Sequence, residues 1–182
     1  MSTIKANAYL DASGGNNATI NGIVPITIAA VGGSSSSVTM SGTAVTFTGI
    51  PEGVKKVRIV VSAMISNSGR FLVRIGSGSL LTTGYVSGAA FVGNVTNAAG
   101  ATNGFTTEGN GGSTGYSGTV TLTLESGNRW VYHHDYAYQG GTSQDIGSGY
   151  ISVGGTLDRV SLLKSDGTAF TSGNAIAYWE FV

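Results

Sequence analysis

The chain has 182 residues, room for one domain that buries roughly 70% of its unfolded surface without staples. It contains no cysteine, which excludes disulfides, thiolate metal sites and thiol nucleophiles. Nine Lys and Arg balance nine Asp and Glu, and charged residues are only 10% of the chain, which leaves too little basic surface for counterion-release binding to nucleic acid. Hydrophobic residues, at 41%, argue against disorder, so the polar exterior must come from Ser, Thr, Asn and the 30 glycines. Such a surface suits a protein packed against neighbours. No secretory signal and no membrane-length apolar run is read, so cytoplasmic synthesis without a membrane partner is expected.

In chain order, Met1 to Ala30 reads as an extended arm, with Gly14 to Asn17 in its middle and Pro25 favouring an edge or extended segment over a central strand. Gly32 to Ser37 reads as a linker, which places the boundary between arm (1–37) and head (38–182) at Val38. Val38 to Met40 and Ala44 to Thr48 are predicted strands, followed by a turn from Gly49 to Gly53. From Val54 to Ile65 one face carries Val57, Ile59, Val61, Ala63 and Ile65, and the other Lys56, Arg58 and Met64. A hairpin to Phe71, Val73 and Ile75 then sets Met64 opposite Leu72 on the outer face, near Lys56, Arg58 and Arg74. That group is either a subunit contact or a pair of isolated surface hydrophobes.

Leu80 to Val86 and Ala89 to Val92 are predicted short strands, and Gly93 to Tyr116 a long loop anchored by Phe105 and Tyr116. The strongest signal is the hairpin Ser117 to Tyr138. Val120, Leu122 and Leu124 alternate with threonines, and Trp130, Tyr132, His134, Tyr136 and Tyr138 resume the alternation after Gly127 and Asn128. This register sets Leu124 opposite Trp130, Leu122 opposite Tyr132 and Val120 opposite His134. After a loop from Gln139 to Ser148 and a strand from Tyr150 to Val153, Leu157 to Lys164 and Asn174 to Val182 read as a closing hairpin around Asp166 and Gly167. No stretch has helical periodicity, so the class is all-β: a single β-sandwich, jelly-roll-like, with an extended N-terminal arm.

Chemistry is sparse. His133 and Asp135 share a strand face while His134 points the other way, and no third metal ligand accompanies them. Gly111 to Gly115 matches G-x-S-x-G, but a nucleophile elbow needs a strand before it and a helix after it. Asp11 and Ser13 beside Gly14 lack the closing Glu of a calcium loop, and nothing singles out two carboxylates for glycoside hydrolysis. The reading is non-enzymatic, with no cofactor and no metal. Tyr136 and Tyr138, with Phe105 and Tyr116, are the candidate ligand surface, since aromatic rings stack on sugars.

The stretches Ile4-Lys5-Ala6-Asn7 and Leu10-Asp11-Ala12-Ser13-Gly14-Gly15-Asn16 resemble the N-terminal attachment arms of small virion proteins from tailed bacteriophages. Phe47-Thr48-Gly49-Ile50-Pro51, Ser126-Gly127-Asn128-Arg129-Trp130 and Leu157-Asp158-Arg159-Val160 with Gly173-Asn174-Ala175-Ile176 resemble the β-rich heads of phage head-decoration and tail-fibre proteins. The resemblance covers most of the chain through turn and strand-start motifs, and it brings no catalytic residue. It implies a structural protein of the virion surface, made in the host cytoplasm and homotrimeric. Its arm residues Ile4, Lys5, Asn7, Leu10, Asp11, Ile23 and Ile26 would contact a major capsid protein or a tail adaptor. No heptads or β-helix repeats form a shaft, which favours a capsid decoration or cement protein. The alternative is a tail-fibre or receptor-binding head that recognises a host cell-surface glycan.

Overall fold

Alternating β-branched and aromatic residues make strands wherever one face can be buried, and the computed structural model of the chain is built from such strands. It describes residues 32–65, 69–93, 97–110 and 115–181. Met1–Val31 lie outside the described residues, and with them the arm positions Ile4, Lys5, Asn7, Leu10, Asp11, Ile23 and Ile26. Among the described residues there is no helix. The strands are β1 (Gly32–Ser34), β2 (Val38–Thr39), β3 (Ala44–Thr48), β4 (Lys56–Ile65), β5 (Arg70–Ser77), β6 (Ser79–Leu80) and β7 (Val86–Val92). They continue with β8 (Asn97–Ala101), β9 (Phe105–Asn110), β10 (Tyr116–Ser126), β11 (Arg129–Tyr138), β12 (Gln144–Ser152), β13 (Arg159–Lys164) and β14 (Ser172–Glu180).

Two antiparallel sheets result. The nine-stranded sheet runs β1-β14-β4-β10-β11-β12-β7-β8, with β2 also on β14; the five-stranded sheet runs β3-β13-β5-β6, with β9 also on β5. Their inner faces share one apolar cluster, and rings reach across it: Phe71 meets Tyr116 edge-on at 5.5 Å, and Phe105 stacks on Tyr132 at 4.3 Å. The β10–β11 hairpin has the expected register, with Leu124 opposite Trp130, Leu122 opposite Tyr132 and Val120 opposite His134.

Four expectations are corrected. Gly32–Ser34 is not linker but a strand that pairs with Tyr178–Glu180, so the large sheet takes in residues before Val38. The segment from Gly93 to Tyr116 holds β8 and β9 in place of a continuous loop. Leu157 to Lys164 and Asn174 to Val182 form no hairpin: β13 pairs with β3 and β5, while β14 pairs with β4 in the other sheet. Likewise β4 and β5 belong to different sheets, so Met64 and Leu72 are not cross-strand partners.

A bulge explains where Met64 goes. Along β10, Tyr116 pairs with Met64 but Gly118 pairs with Val61, so β4 carries one extra residue there. Ala63 takes the left-handed conformation (φ 51°), and its N–H donates to Ser117 Oγ at 3.0 Å. The extra residue reverses the alternation, so Val57, Ile59 and Val61 face the core and the next inward side chain is Met64, 1% exposed. On the β14 side the space exists because residue 173 is glycine (φ 118°); a Cβ there would lie 2.8 Å from Met64 Cα.

The small sheet ends on a buried ammonium. Lys164 is 3% exposed, its Nζ donates to the Gly69 carbonyl and lies 4.6 Å over the Phe71 ring. Burial pulls its pKa down to about 8 from 10.5, with Asp166 opposing. The folded state therefore releases this proton near pH 8, whereas the unfolded chain holds it to about pH 10.5. Between those values the unfolded state binds more protons, so stability rises with pH and is lost again as pH falls through 8. Ionisation of tyrosines in the unfolded chain opposes this above about pH 10. Chemical denaturation at pH 7 and pH 9.5 is expected to show greater stability at pH 9.5, and Lys164→Met to remove that difference. An equal rise in the variant would show that another group is responsible.

Candidate functional site

The structure separates the candidate ligand residues from solvent. Phe105, Tyr116 and Tyr136 are core side chains and Tyr138 is half-buried against Phe91 and Tyr116, so the four do not form a surface. The reason is their position: β9, β10 and β11 all turn these rings toward the space between the sheets. The candidate subunit contact is also dispersed. Met64 is in the core, and Leu72, 2% exposed, is covered on the far face of the small sheet. Lys56 pairs with Glu180 at 3.3 Å and Arg58 is exposed on the large sheet, whereas Arg74 sits on the small sheet with its Nε donating to the Asn103 carbonyl at 2.7 Å.

What the rings enclose is a polar chain. His134 Nε2 lies 2.9 Å from Asp145 Oδ1 and His134 Nδ1 2.9 Å from Tyr132 Oη, with the His134 and Asp145 side chains at 0% exposure. A carboxylate only accepts, so in the neutral ring Nε2–H donates to Asp145 and Nδ1 accepts from the Tyr132 hydroxyl. Asp145 Oδ1 also accepts from the Glu108 backbone N–H at 3.3 Å. Burial, reinforced by the neighbouring Tyr136 and Asp145, holds the Tyr132 hydroxyl well above its ordinary pKa, and burial with Asp145 does the same for Tyr136. Tyr116 is pushed up to about 12 by burial, with Asp145 and Tyr138 adding to it. Every hydroxyl in the cluster thus stays protonated and able to donate at neutral pH. Acid, base and hydroxyl stand in a row as in a hydrolase relay, with the His134 and Asp145 side chains closed off from solvent.

Sequence reasoning missed Asp145 and the two glycines that follow it. Along β12 the inward positions are Asp145, Gly147, Gly149 and Ile151, opposite Tyr136, His134, Tyr132 and Trp130. A Cβ on Gly147 would fall 2.4 Å from His134 Cε1, and one on Gly149 would fall 2.9 Å from Phe105 Cδ1. The glycines vacate the space that the large rings fill. Their spacing, two apart beside an aromatic stripe, is the signal that could have found them.

The converse lies outside. With the inner face of β12 given to rings from other strands, its apolar side chains Ile146 and Tyr150 point to solvent. They stand in register with Ala90 and Val86 of β7, and between them Ser148 faces Gly88 on one side and His133 on the other. The result is an open trough of about 550 Å³ along Gly88, His133 and Ser148, with Ile146 and Ala90 on one flank. Tyr150, Val86 and Val131 form the other flank, where the Arg129 guanidinium lies 4.1 Å over the Tyr150 ring and is held by Glu125 at 2.8 Å. His133 and Asp135 share this outer face, as expected, and among the described residues no group of three acidic or histidine side chains is placed to hold a metal ion.

A second, narrower cleft of about 180 Å³ opens at the β10–β11 turn, between Glu52, Lys55, Asn128 and Thr156, with Trp130 and Leu157 at its base. Its rim supplies both donors and acceptors around an apolar floor. No protein-family model matches the chain, and no curated protein is found similar to it.

Proposed function

We propose that the chain is a non-enzymatic structural protein of a tailed-phage virion surface, a capsid decoration or cement protein attached through its N-terminal arm. The head is read as a β-sandwich of jelly-roll kind, a reading supported by the chain's crossing from β3 to β4 and back to β5 between two sheets that share a core. Partners in this reading are further copies in a homotrimer and a major capsid protein. The observation that carries it is the distribution of polar groups. Among the described residues an acid, a histidine and a hydroxyl meet in the sealed Asp145–His134–Tyr132 row, and the surface outside is charge-poor, sheet-like and suited to contact. Stabilisation of the shell would follow from mass action, since a protein that binds only the assembled lattice stabilises that lattice.

The experiment is removal of residues 1–31, which leaves β1 in its sheet. The expected result is a folded head, by circular dichroism, that no longer co-sediments with particles. Undiminished sedimentation with particles would end the arm-anchored reading. The second reading, a tail-borne head that recognises a host glycan, is favoured by the cleft around Glu52 and Asn128 and no longer by the Phe105 and Tyr136 surface. Symmetric copies over the capsid in virion images support decoration; a few copies at the tail support the second reading.

A further inference from the structure

The short connection from β8 to β9 ends in an Asn-Gly pair, Asn103 and Gly104. An asparagine followed by glycine closes on itself when the glycine nitrogen attacks the side-chain carbonyl carbon, and a glycine leaves that nitrogen uncrowded. The barrier is the peptide N–H, a very weak acid that must give up its proton before the nitrogen attacks. Around Asn103 the structure meets each requirement of this step. Asn103 is exposed, so its carboxamide is free to turn back on the chain. Gly104 lies outside the β5–β9 ladder, which begins at Phe105 opposite Val73, and among the described residues its N–H has no hydrogen-bond partner. Packing itself favours glycine there, since a Cβ would lie 3.4 Å from both Leu72 Cβ and the Val73 carbonyl oxygen. The decisive contact is on the other end of the same peptide bond, where the Asn103 carbonyl accepts from Arg74 Nε at 2.7 Å. Loss of the Gly104 proton moves negative charge onto that oxygen by amide resonance, and a guanidinium aimed at it stabilises the anion more than the neutral amide. Among the described residues no carboxylate stands within ion-pair distance of Arg74 to offset its charge.

We propose that Asn103 is a site of spontaneous deamidation in the folded protein, promoted by Arg74. The bond from Gly104 N to Asn103 Cγ forms and the Cγ–Nδ2 bond breaks, with Nδ2 taking a proton from water and leaving as ammonia. Water then opens the five-membered imide at either carbonyl, which yields aspartate or isoaspartate. The net change is asparagine plus water to aspartate plus ammonia, and it needs no oxidant and no enzyme. Its consequence is a new carboxylate beside Arg74, which thereby gains an ion-pair partner. Charges that cancelled at nine of each sign then leave one acid in excess on each modified copy, a large relative change for so charge-poor a surface. The isoaspartate product also adds one carbon to the main chain just ahead of Phe105, whose ring is fully buried, so that product is expected to lower stability. The inference rests on this turn alone and stands or falls independently of the virion reading.

The test incubates the full chain in mildly alkaline buffer and follows the mass gain of about 1 Da at each asparagine by peptide mass spectrometry. Cleavage after Glu108 separates Asn103 from the Asn-Gly pair at Asn110, and the pair at Asn21 serves as a second reference. Wild type, Arg74→Gln and Arg74→Lys are compared, each checked for folding by circular dichroism. Asn103 is expected to convert about 10-fold more slowly in Arg74→Gln, the effect of one charge-assisted hydrogen bond on a barrier, with Asn21 unchanged. Arg74→Lys keeps the charge but not the planar donor and should also be slower than wild type, which keeps the proposal testable if the glutamine variant does not fold. In concentrated urea the contact with Arg74 is gone, and all three chains should convert at one rate. Conversion at Asn103 as fast in a folded variant as in wild type overturns the proposal. Faster conversion overturns it too, since Arg74 would then hold the turn still and protect it. A folded wild type that converts at Asn21 and not at Asn103 has the same result.

Discussion

Replacing His134 by leucine is expected to cost about 3–5 kcal/mol of folding stability, the range seen when one partner of a buried polar pair is removed. The ring occupies the centre of the Asp145–His134–Tyr132 row, so its loss takes two hydrogen bonds at 2.9 Å together. Leucine is close in volume, which keeps the cavity contribution small and isolates the polar one. The Asp145 carboxylate loses its ring donor while remaining in the core, and the Tyr132 hydroxyl loses its acceptor. Asp145→Asn should cost less, since an amide oxygen still accepts from Nε2–H. The double variant should be less destabilised than the sum of the two, because the interaction that each removes is shared. Urea denaturation with unchanged slope reads these differences. A loss below about 1 kcal/mol for His134→Leu would show that the row contributes little, and would reopen the question of what else keeps it there.

How far the fold could be read from the sequence depended on whether a strand's own residues carried the pattern of its burial. In β10 and β11 they do: threonine alternates with aliphatic residues, then aromatic ones with His133, Asp135 and Ala137, and the register follows. In β8 the sequence Asn-Ala-Ala-Gly-Ala carries no alternation, and its strand exists only because β7 offers an edge to pair with. In β12 the pattern is inverted, because Tyr132, His134 and Phe105 fill the interior and glycines must stand beneath them. Reading apolar residues as inward there selects Ile146 and Tyr150, the residues that face solvent. The Met64 error has a local cause: one residue inserted at Ala63 moves every following side chain to the other face. At Asp166 and Gly167 the turn chemistry was read correctly, and Thr168 N–H donates to Asp166 Oδ1 at 3.1 Å, yet the turn leads across to the other sheet. Turn residues specify a change of direction and leave open which sheet receives the strand.

Phe105 separates the two meanings an aromatic residue in a glycine-rich segment can have. As a ligand contact it would be dispensable for folding, and Phe105→Ala would reduce binding at constant stability. As placed, it is fully buried, stacked on Tyr132 at 4.3 Å and edge-on to Tyr85 at 4.9 Å, with the space above Gly149 shaped to its ring. Truncation removes a side chain that joins β9 of the small sheet to β11 of the large one, so the expected loss is about 3–5 kcal/mol. Tyr85 is itself fixed: its hydroxyl accepts from the Ile75 N–H at 2.9 Å and donates toward the Leu81 carbonyl at 3.2 Å. The surroundings therefore cannot collapse into the vacated volume, which places the loss toward the upper end. A double-mutant cycle of Phe105→Ala with Tyr132→Phe should show little coupling, because the stacked faces survive in phenylalanine. The cycle with Tyr132→Leu should show about 1 kcal/mol, the part that belongs to ring-on-ring contact. A Phe105→Ala variant as stable as wild type would return the residue to the surface and the ligand reading with it.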